Sequence, residues 1–476
     1  MRGFTVTPLL PVAVCLMAGI VVGTWWQPGF SLLPVLVAAV VTAYGCQRWP
    51  LAQTLTILAS CSVLGMTLVQ TQKDNDDVDI SGRVVQGVVM SETAERTKTM
   101  GIDLLVPSAG GRTLRCYLWK DERSRSLKPG DELVARVQPM RPSRGVAPRT
   151  PIFFIHSNEW HRGGNAFGQL SSWQRTRLWF LRLRHRLLER YQDSGAEADT
   201  YAVLAAMTLG DKSAQSRELR DLYSVSGASH ILAVSGLHVG IVYMLLTMLM
   251  LGRRQFWLSQ VLTVAAIWAF ALVTGLSPSV VRAATMVSLY ALFAVRGGRQ
   301  SPLNVLCFAA IVMLVADVQT LFDVGFQLSF AAVFAILLFL PMLQAMYQPH
   351  NVLMRWAWNM ALLSLCAVLG TSPLIAYYFH RFSTYFLLTN FLVVPAATFI
   401  LYGALLSLLF PPVSIVLIKA VEAMNGGLHI IASMPGSCIE GLHPTPLQVS
   451  LVYLLILLCY FILRKLASVF RILNQR

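Results

Sequence analysis

The chain has 476 residues, 55% of them hydrophobic and only 13% charged, with a mean hydropathy of +0.59. Soluble domains carry about 25% charged residues, so an ordinary soluble enzyme is excluded, and so is a disordered chain. The net charge of +15, from 38 Lys and Arg against 23 Asp and Glu, fits either the basic rim of a membrane protein or a polyanionic partner.

Three apolar segments open the chain, near 8–26, 30–46 and 51–70. The first follows a single basic residue, Arg2, and lacks a small-residue cleavage site, so it reads as an anchor and not as a removed signal peptide. Residues 1–72 are therefore expected to form three transmembrane helices. Composition changes abruptly at Lys73-Asp74-Asn75-Asp76-Asp77. From there to about 165, the stretches VDISGRVVQGVVM, MGIDLLV, RTLRCYLW and DELVARVQPM alternate apolar and polar residues at period two. Gly110-Gly111 and Pro129-Gly130-Asp131 separate them as turns. Four or five short strands in about 80 residues predict a small β-barrel of the OB type, with an SH3-like barrel giving a similar pattern.

Residues 166–200 hold a basic amphipathic helix over 168–192. Trp173, Leu178, Leu181, Leu188 and Tyr191 share one side, with arginines around the rest. That pattern suits a helix lying in the membrane interface. Between 136 and 190 lie eleven arginines against Glu159 and Glu189, interleaved with Phe153, Phe154, Trp160, Phe167, Trp173, Trp179 and Phe180. Arginine tracks phosphate and aromatic rings stack bases, so Arg141, Arg144, Arg149, Arg162, Arg175 and Arg182 are candidate contacts for a single strand. Interfacial helices use the same residue types.

Residues 201–476 contain nine further apolar segments, at 229–250, 256–275, 279–295, 302–317, 325–343, 356–379, 386–410, 413–433 and 446–463. Three and nine make about twelve transmembrane helices, so the fold class is a polytopic α-helical membrane protein with an inserted extracytoplasmic OB-like β-domain. With both termini cytoplasmic, Arg48, Arg253-Arg254, Arg296, Arg299, Arg355 and the basic tail fall inside, while the outer loops hold one arginine, Arg381. The weakest span is 413–433, where Lys419 and Glu422 stand one turn apart and are expected to pair. The cysteines form no CxxC pair; only Cys116 and Cys438 lie in polar segments, where a disulfide between them is conceivable.

Three polar groups interrupt the apolar pattern. In HILAVSGLHVGIVY, Ser235, Gly236 and His238 break an otherwise apolar helix, either to face a cavity or to pack helices closely with Gly227 and Gly240. In TGLSPSVVRAATM, Pro278 starts a helix and Arg282 sits near its start, suited to a phosphate or to snorkelling toward lipid headgroups. In DVGFQLSFAAV, Asp323 and Gln327 share a helical face, with helix capping as the plain alternative. Only four acids lie within 230–476, Asp317, Asp323, Glu422 and Glu440, which counts against ion-coupled solute transport. The nine histidines form no metal pattern, and neither a metal nor another cofactor is expected.

Taken together, LGDKS (209–213), HILAVSGLHVG (230–240), LSPSVVRAATM (276–286), DVGFQLSFAAV (323–333) and Asn390 with Pro395 in TNFLVVPAA resemble the ComEC family of DNA-uptake channel proteins of competent bacteria. The resemblance covers nearly the whole chain. It implies a multi-pass protein of the bacterial cytoplasmic (inner) membrane that imports single-stranded DNA during natural transformation, with the outer domain receiving the DNA. On that view Arg282 holds phosphates at the mouth, Ser235, Gly236 and His238 shape the passage with Asp323 and Gln327, and Asp211, Asn390 and Pro395 are structural.

One departure stands out. Many members carry a C-terminal metallo-β-lactamase-like domain, whereas here 13 residues follow the last apolar segment and no HxHxDH motif occurs. The resemblance therefore supports the channel and not nuclease activity, and a separate nuclease becomes a partner. No GxxxxGK[ST] loop is present, so a cytoplasmic ATPase or helicase is expected to supply direction, with a periplasmic or surface DNA receptor upstream. The alternatives are a transporter of another anionic polymer or lipid-linked intermediate, and a non-transporting membrane scaffold.

Overall fold

A computed structural model describes residues 7–26, 28, 30–76, 82–139, 152–250, 256–295, 301–407 and 410–473. Helices α1 (Leu9–Trp25), α2 (Leu33–Gly45) and α3 (Pro50–Asp76) open the chain. Small residues let α1 and α3 touch backbone to backbone: a Cβ at Gly19 would stand 2.0 Å from the Ser62 carbonyl oxygen, and one at Gly65 2.6 Å from that of Leu16. Beside this contact Leu16 and Ile20 pack with Ala310, Met313 and Leu314 from the second half of the chain.

The polar region folds as β1 (Val84–Val89), β2 (Ala94–Glu95), β3 (Thr99–Val106), β4 (Arg112–Trp119), helix α4 (Glu122–Arg125), β5 (Glu132–Arg136), β6 (Gln138–Pro139), β7 (Ile152–Ile155) and β8 (Trp160–Arg162). Hydrogen bonds run in the order β6-β7-β4-β3-β1-β5-β8, with β2 on β3. The β4–β7 pair is parallel and the others are antiparallel. Segment 132–139 supplies β5 to β1 and β6 to β7, so one stretch of chain forms one end of this path and the last strand but one at the other. Its core contains Ile102, Leu104, Leu114, Cys116, Leu118, Leu133, Phe153, Ile155 and Trp160. Phe153 and Trp160 thus fill the interior and are not available for stacking. Cys116 is fully buried there, burial pushes its thiol up to about 12, and neither it nor Cys438 is in a disulfide.

Helix α5 (Ser172–Asp193) begins with a reciprocal cap between Ser171 and Gln174. Leu178 and Leu181 pack under the sheet against Val88, Met90 and Leu105, whereas Leu188 and Tyr191 join the core of the helical region. Trp173 does not share that buried side; it is exposed, and Arg184 is buried in its stead. The helix therefore connects the β-domain to the helical region.

That region comprises α6 (Ala198–Leu209), α7 (Arg217–Val225), α8 (Gly236–Met250), α9 (Phe256–Val273), α10 (Pro278–Val295), α11 (Pro302–Ala316), α12 (Val324–Met346), α13 (Val352–Phe379), β9 (Arg381–Ser383), α14 (Phe386–Ser407), α15 (Val413–Ser433), β10 (Cys438–Glu440) and α16 (Pro446–Leu473). Among the described residues, six helices are long and apolar enough to cross a membrane: α3, α12, α13, α14, α15 and α16. Seven shorter apolar helices accompany them. The chain is thus a multi-pass helical membrane protein with a β-sheet domain. The pair expected within 413–433 is present, with Lys419 Nζ 2.7 Å from Glu422 Oε2. Strands β9 and β10 pair, and Arg381 joins them to α7 through Asp221 at 2.7 Å. Arg253, Arg254, Arg296, Arg299 and Arg476 lie outside the described residues.

Two elements differ from the sequence expectation. Segment 229–250 is not one helix: residues 226–235 are irregular, and α8 starts only at Gly236. And α6, which no apolar span anticipated, is the core of the region, with every residue from Ala202 to Leu209 buried. Twelve residues reach about 18 Å, too short to cross a bilayer core of about 30 Å, which is why such a segment serves as an internal helix.

Gly19→Val forces α1 off α3 and should lower the melting temperature of the purified protein, overpacking of this kind costing about 1–3 kcal/mol. Gly426→Ala, with nothing within 4 Å of the added carbon, should not lower it.

Candidate functional site

The irregular chain before α8 buries Ser226, Ala228, Ile231, Leu232 and Val234 while Ser229 and His230 stay exposed, and several of its backbone groups find side-chain partners. Thr389 Oγ1 donates to the Ser226 carbonyl at 2.6 Å, and Gln215 Nε2 donates to that of Leu232 at 3.0 Å. Gly227 adopts φ +83°, with Ser383 2.8 Å from where a Cβ would stand, so glycine is required there. At the start of α8 the Ser235 backbone N–H donates to His238 Nδ1 at 3.2 Å, and Ser235 Oγ is 3.0 Å from the same nitrogen. A backbone N–H only donates, so Nδ1 carries the lone pair and the ring proton of the neutral imidazole sits on Nε2. His238 is fully buried and Nε2 has no partner among the described residues. Gly236 and Gly240 are open, with a Cβ at Gly236 only in ordinary contact with Ala283 and one at Gly240 in free space. Close packing through these two glycines is therefore not their use.

Arg282 lies one turn into α10, 2% exposed. Its guanidinium sits 5.3 Å over the Phe330 ring of α12, and the carboxylate of Asp323 is within electrostatic reach. Nη1 nonetheless has no partner among the described residues. Asp323 also caps α12, its Oδ1 accepting from the Phe326 N–H at 2.9 Å. Gln327 is committed at both ends of its amide: Nε2 donates to the Leu321 carbonyl at 3.0 Å, and Oε1 accepts from Tyr378 at 2.7 Å. It holds α12 and α13 together. The fold thus brings Arg282 to Asp323, and uses Gln327 for positioning.

Asp211 closes the turn after α6, accepting from Ser213 Oγ at 2.6 Å. Preceding it, Gly210 at φ +72° touches the Thr274 carbonyl at the end of α9, where a Cβ would come within 2.7 Å. In α14, Pro395 removes the amide that would bond the Phe391 carbonyl. Asn390 Oδ1, one residue before Phe391, has no partner among the described residues. Ser277 Oγ, which the sequence reading passed over, is in the same condition, and its place just ahead of Pro278 was the available signal.

Where α5 meets the β-domain, His185 stands between two carboxylates, with Nδ1 3.0 Å from Glu92 and Nε2 3.2 Å from Glu189. Lys128 approaches Glu189 at 2.8 Å. Arg184 and Asp211 both act on Glu92, so the turn after α6 lies in the field of the β-domain's own carboxylate. Of the surface arginines, Arg162 donates to Ser126 at 2.7 Å, Arg175 to the Leu170 and Gly168 carbonyls, and Arg182 to the Gly130 carbonyl. Arg175 and Arg182 also lie over Phe167. All three remain exposed. Arg141, Arg144 and Arg149 lie outside the described residues.

Residues 207–466, over half of the chain, match the family model described as Competence protein, and the chain belongs to this Competence (ComEC) family. It is similar to ComE operon protein 3 of Bacillus subtilis (strain 168), 32% identical over 234 residues that make up 48% of this chain and 29% of that one. An uncharacterized protein of Aquifex aeolicus (strain VF5) is 28% identical over 55% of this chain and 62% of its own. The uncharacterized protein YcaI of Escherichia coli (strain K12) is 24% identical over 42% and 28%. The chain spans less than two thirds of each of these relatives. No solved structure matches.

Burial raises the Glu92 carboxyl above the ordinary glutamate value, with Asp211 adding to the rise and His185 and Arg184 opposing it. The folded protein therefore holds that proton more tightly than the unfolded chain. Its contribution to stability is complete below about pH 4.3 and is lost as pH rises through the higher folded value. Thermal melts taken from about pH 4 to pH 8 should show this decline, and Glu92→Gln should flatten it. Superimposable wild-type and Gln curves contradict the assignment.

Proposed function

We propose that this protein conducts single-stranded DNA inward across the bacterial cytoplasmic membrane during natural transformation. The observation that carries the proposal is Arg282, 2% exposed and with a guanidinium nitrogen unpartnered among the described residues. Arginine does not shed its proton, and a buried cation is costly unless anions meet it. Asp323 supplies one such anion while also capping a helix, which leaves donor capacity for a passing phosphate. His238 Nε2 and Ser277 Oγ add two more hydrogen-bonding groups without partners among the described residues. Buried polar atoms in native proteins are normally satisfied, so several unpaired ones on family motifs suit a path for a polar polymer. Membership of the Competence family supports DNA as that polymer.

In this proposal six long helices and six of the shorter ones make about twelve spans, α6 being internal. Both termini are cytoplasmic and the β-domain is outside, as the distribution of basic residues favours. Its strand order, parallel β4–β7 pair and intervening α4 support an OB-type barrel. Ser235, Gly236 and His238 shape the passage. A cytoplasmic ATPase or helicase supplies direction, a surface receptor delivers DNA, and a separate nuclease degrades the other strand.

The test is uptake of labelled DNA by a deletion strain complemented with wild type, Arg282→Ala, Arg282→Lys or His238→Ala, with the membrane-inserted protein quantified in each. Arg282→Ala should cut uptake about tenfold or more, since a hydrogen bond to a charged group is worth about 1.5–3 kcal/mol. Arg282→Lys should recover only part, because it keeps the charge and loses the planar fork. Normal transformation of the deletion strain would remove the proposal.

A further inference from the structure

One face of the β-domain carries aromatic rings where a solvent-facing sheet ordinarily carries polar side chains. Alternation along β4 sends Leu114, Cys116 and Leu118 into the core and Arg115, Tyr117 and Trp119 to the other side. In β7, parallel to it, Phe153 and Ile155 go inward, so Phe154 and the following His156 go outward. The register sets Tyr117 beside Phe154. On the other flank Tyr117 faces Gly101 of β3, where a Cβ would come within 3.2 Å of the ring. Trp119 and Phe154 meet at 5.4 Å and 82°, and Phe154 and His156 at 5.1 Å and 77°.

The rest of this face is covered. Leu105, two steps beyond Asp103 and on the same side of β3, packs under Leu178 and Leu181 of α5. The Asp103–Arg115 ion pair at 3.0 Å marks the border. Beyond the border the strip is open: Trp119 is 43% exposed, His156 is exposed, and Tyr117 and Phe154 are half-buried. Its rim carries cations beside one carboxylate, Glu95, which pairs with Lys120 and lies 3.9 Å from Arg125. Arg96 lies 4.6 Å over the Tyr117 ring, and Lys98 and Arg125 are exposed nearby in the chain. Edge-to-face neighbours leave alternate ring faces free, which a contiguous core does not.

Resting on the proposed transport of single-stranded DNA, we infer that Tyr117, Trp119, Phe154 and His156 form a shelf on which unpaired bases stack, with Arg96 and its neighbours holding the phosphates. Stacking on rings tolerates any base, because every base has a π-face, and a cationic rim complements the backbone. This suits a domain that must pass any sequence. The shelf is separate from Arg162, Arg175 and Arg182, whose guanidinium groups bond Ser126, the Leu170 carbonyl and the Gly130 carbonyl.

The experiment measures binding of a fluorescein-labelled oligo-dT to the full chain in nanodiscs, by anisotropy across a salt series. Alongside run an abasic oligomer of equal length and vesicles containing phosphatidylglycerol. Wild type should bind oligo-dT better than the abasic strand. Trp119→Ala and Phe154→Ala should each weaken oligo-dT roughly five- to hundredfold with the salt slope unchanged, and Trp119→Tyr should retain most of the affinity. Loss with a reduced salt slope, equal binding of abasic and dT strands, or an effect confined to vesicles would overturn the shelf, as would variants that bind like wild type. If such variants bind normally while Arg282→Ala still abolishes uptake, the shelf falls and the conduit stands. If wild type binds no oligo-dT, the shelf falls, and the uptake assay alone judges the conduit.

Discussion

Non-helical backbone among membrane helices must find hydrogen-bond partners there, since lipid offers none. The stretch from Gly210 to Ser235 meets this condition link by link. Asp211 takes Ser213, Gln215 reaches the Leu232 carbonyl, the Ala228 amide bonds the Tyr223 carbonyl at 2.7 Å, and Thr389 crosses from α14 to Ser226. Tyr223 is itself fixed by Asn425 of α15 at 2.7 Å. Only with these bonds in place does α8 start at Gly236, and only then does His238 stand where its outer nitrogen is buried. The motif residues are therefore consequences of a satisfied backbone, and their unpartnered atoms stand out against it.

The β-domain is joined to this frame by more than chain continuity. Helix α5 places Leu178 and Leu181 beneath the sheet and Leu188 and Tyr191 in the helical core, so one rigid element enters both. Glu92, Arg184 and Asp211 share one electrostatic neighbourhood at the seam, and Gly275 at the turn before α10 stands 3.0 Å from an Arg184 nitrogen, measured from where its Cβ would be. A shift of the sheet is thereby felt both by the turn after α6 and by the turn leading to Arg282.

Much of this was legible in the residues. Period-two alternation marked the strands because one side of each faces a small closed core, and apolar length marked the long helices because a bilayer demands it. Family motifs pointed to Arg282, Asp323 and His238. What escaped did so for physical reasons. From Ala202 to Leu209 the chain is buried on every side and shorter than a span, so no periodicity distinguishes it from its neighbours. Apolar composition over 229–235 cannot tell a buried irregular turn from a helix, since both avoid water. Arginine density drew attention to 136–190, yet Trp160 and Phe153 there are core, while Tyr117 and Trp119 outside that window face solvent. Only strand register tells the two sets apart.

Arg282 has one more effect. A positive charge fixed in a low-dielectric wall repels protons and sodium while leaving a polyanion welcome. A passage wide enough for an unpaired strand would otherwise short-circuit the membrane on which the cell's energy depends. Under the proposed function, the buried guanidinium over Phe330 would both attract the cargo and oppose small cations when the cargo is gone.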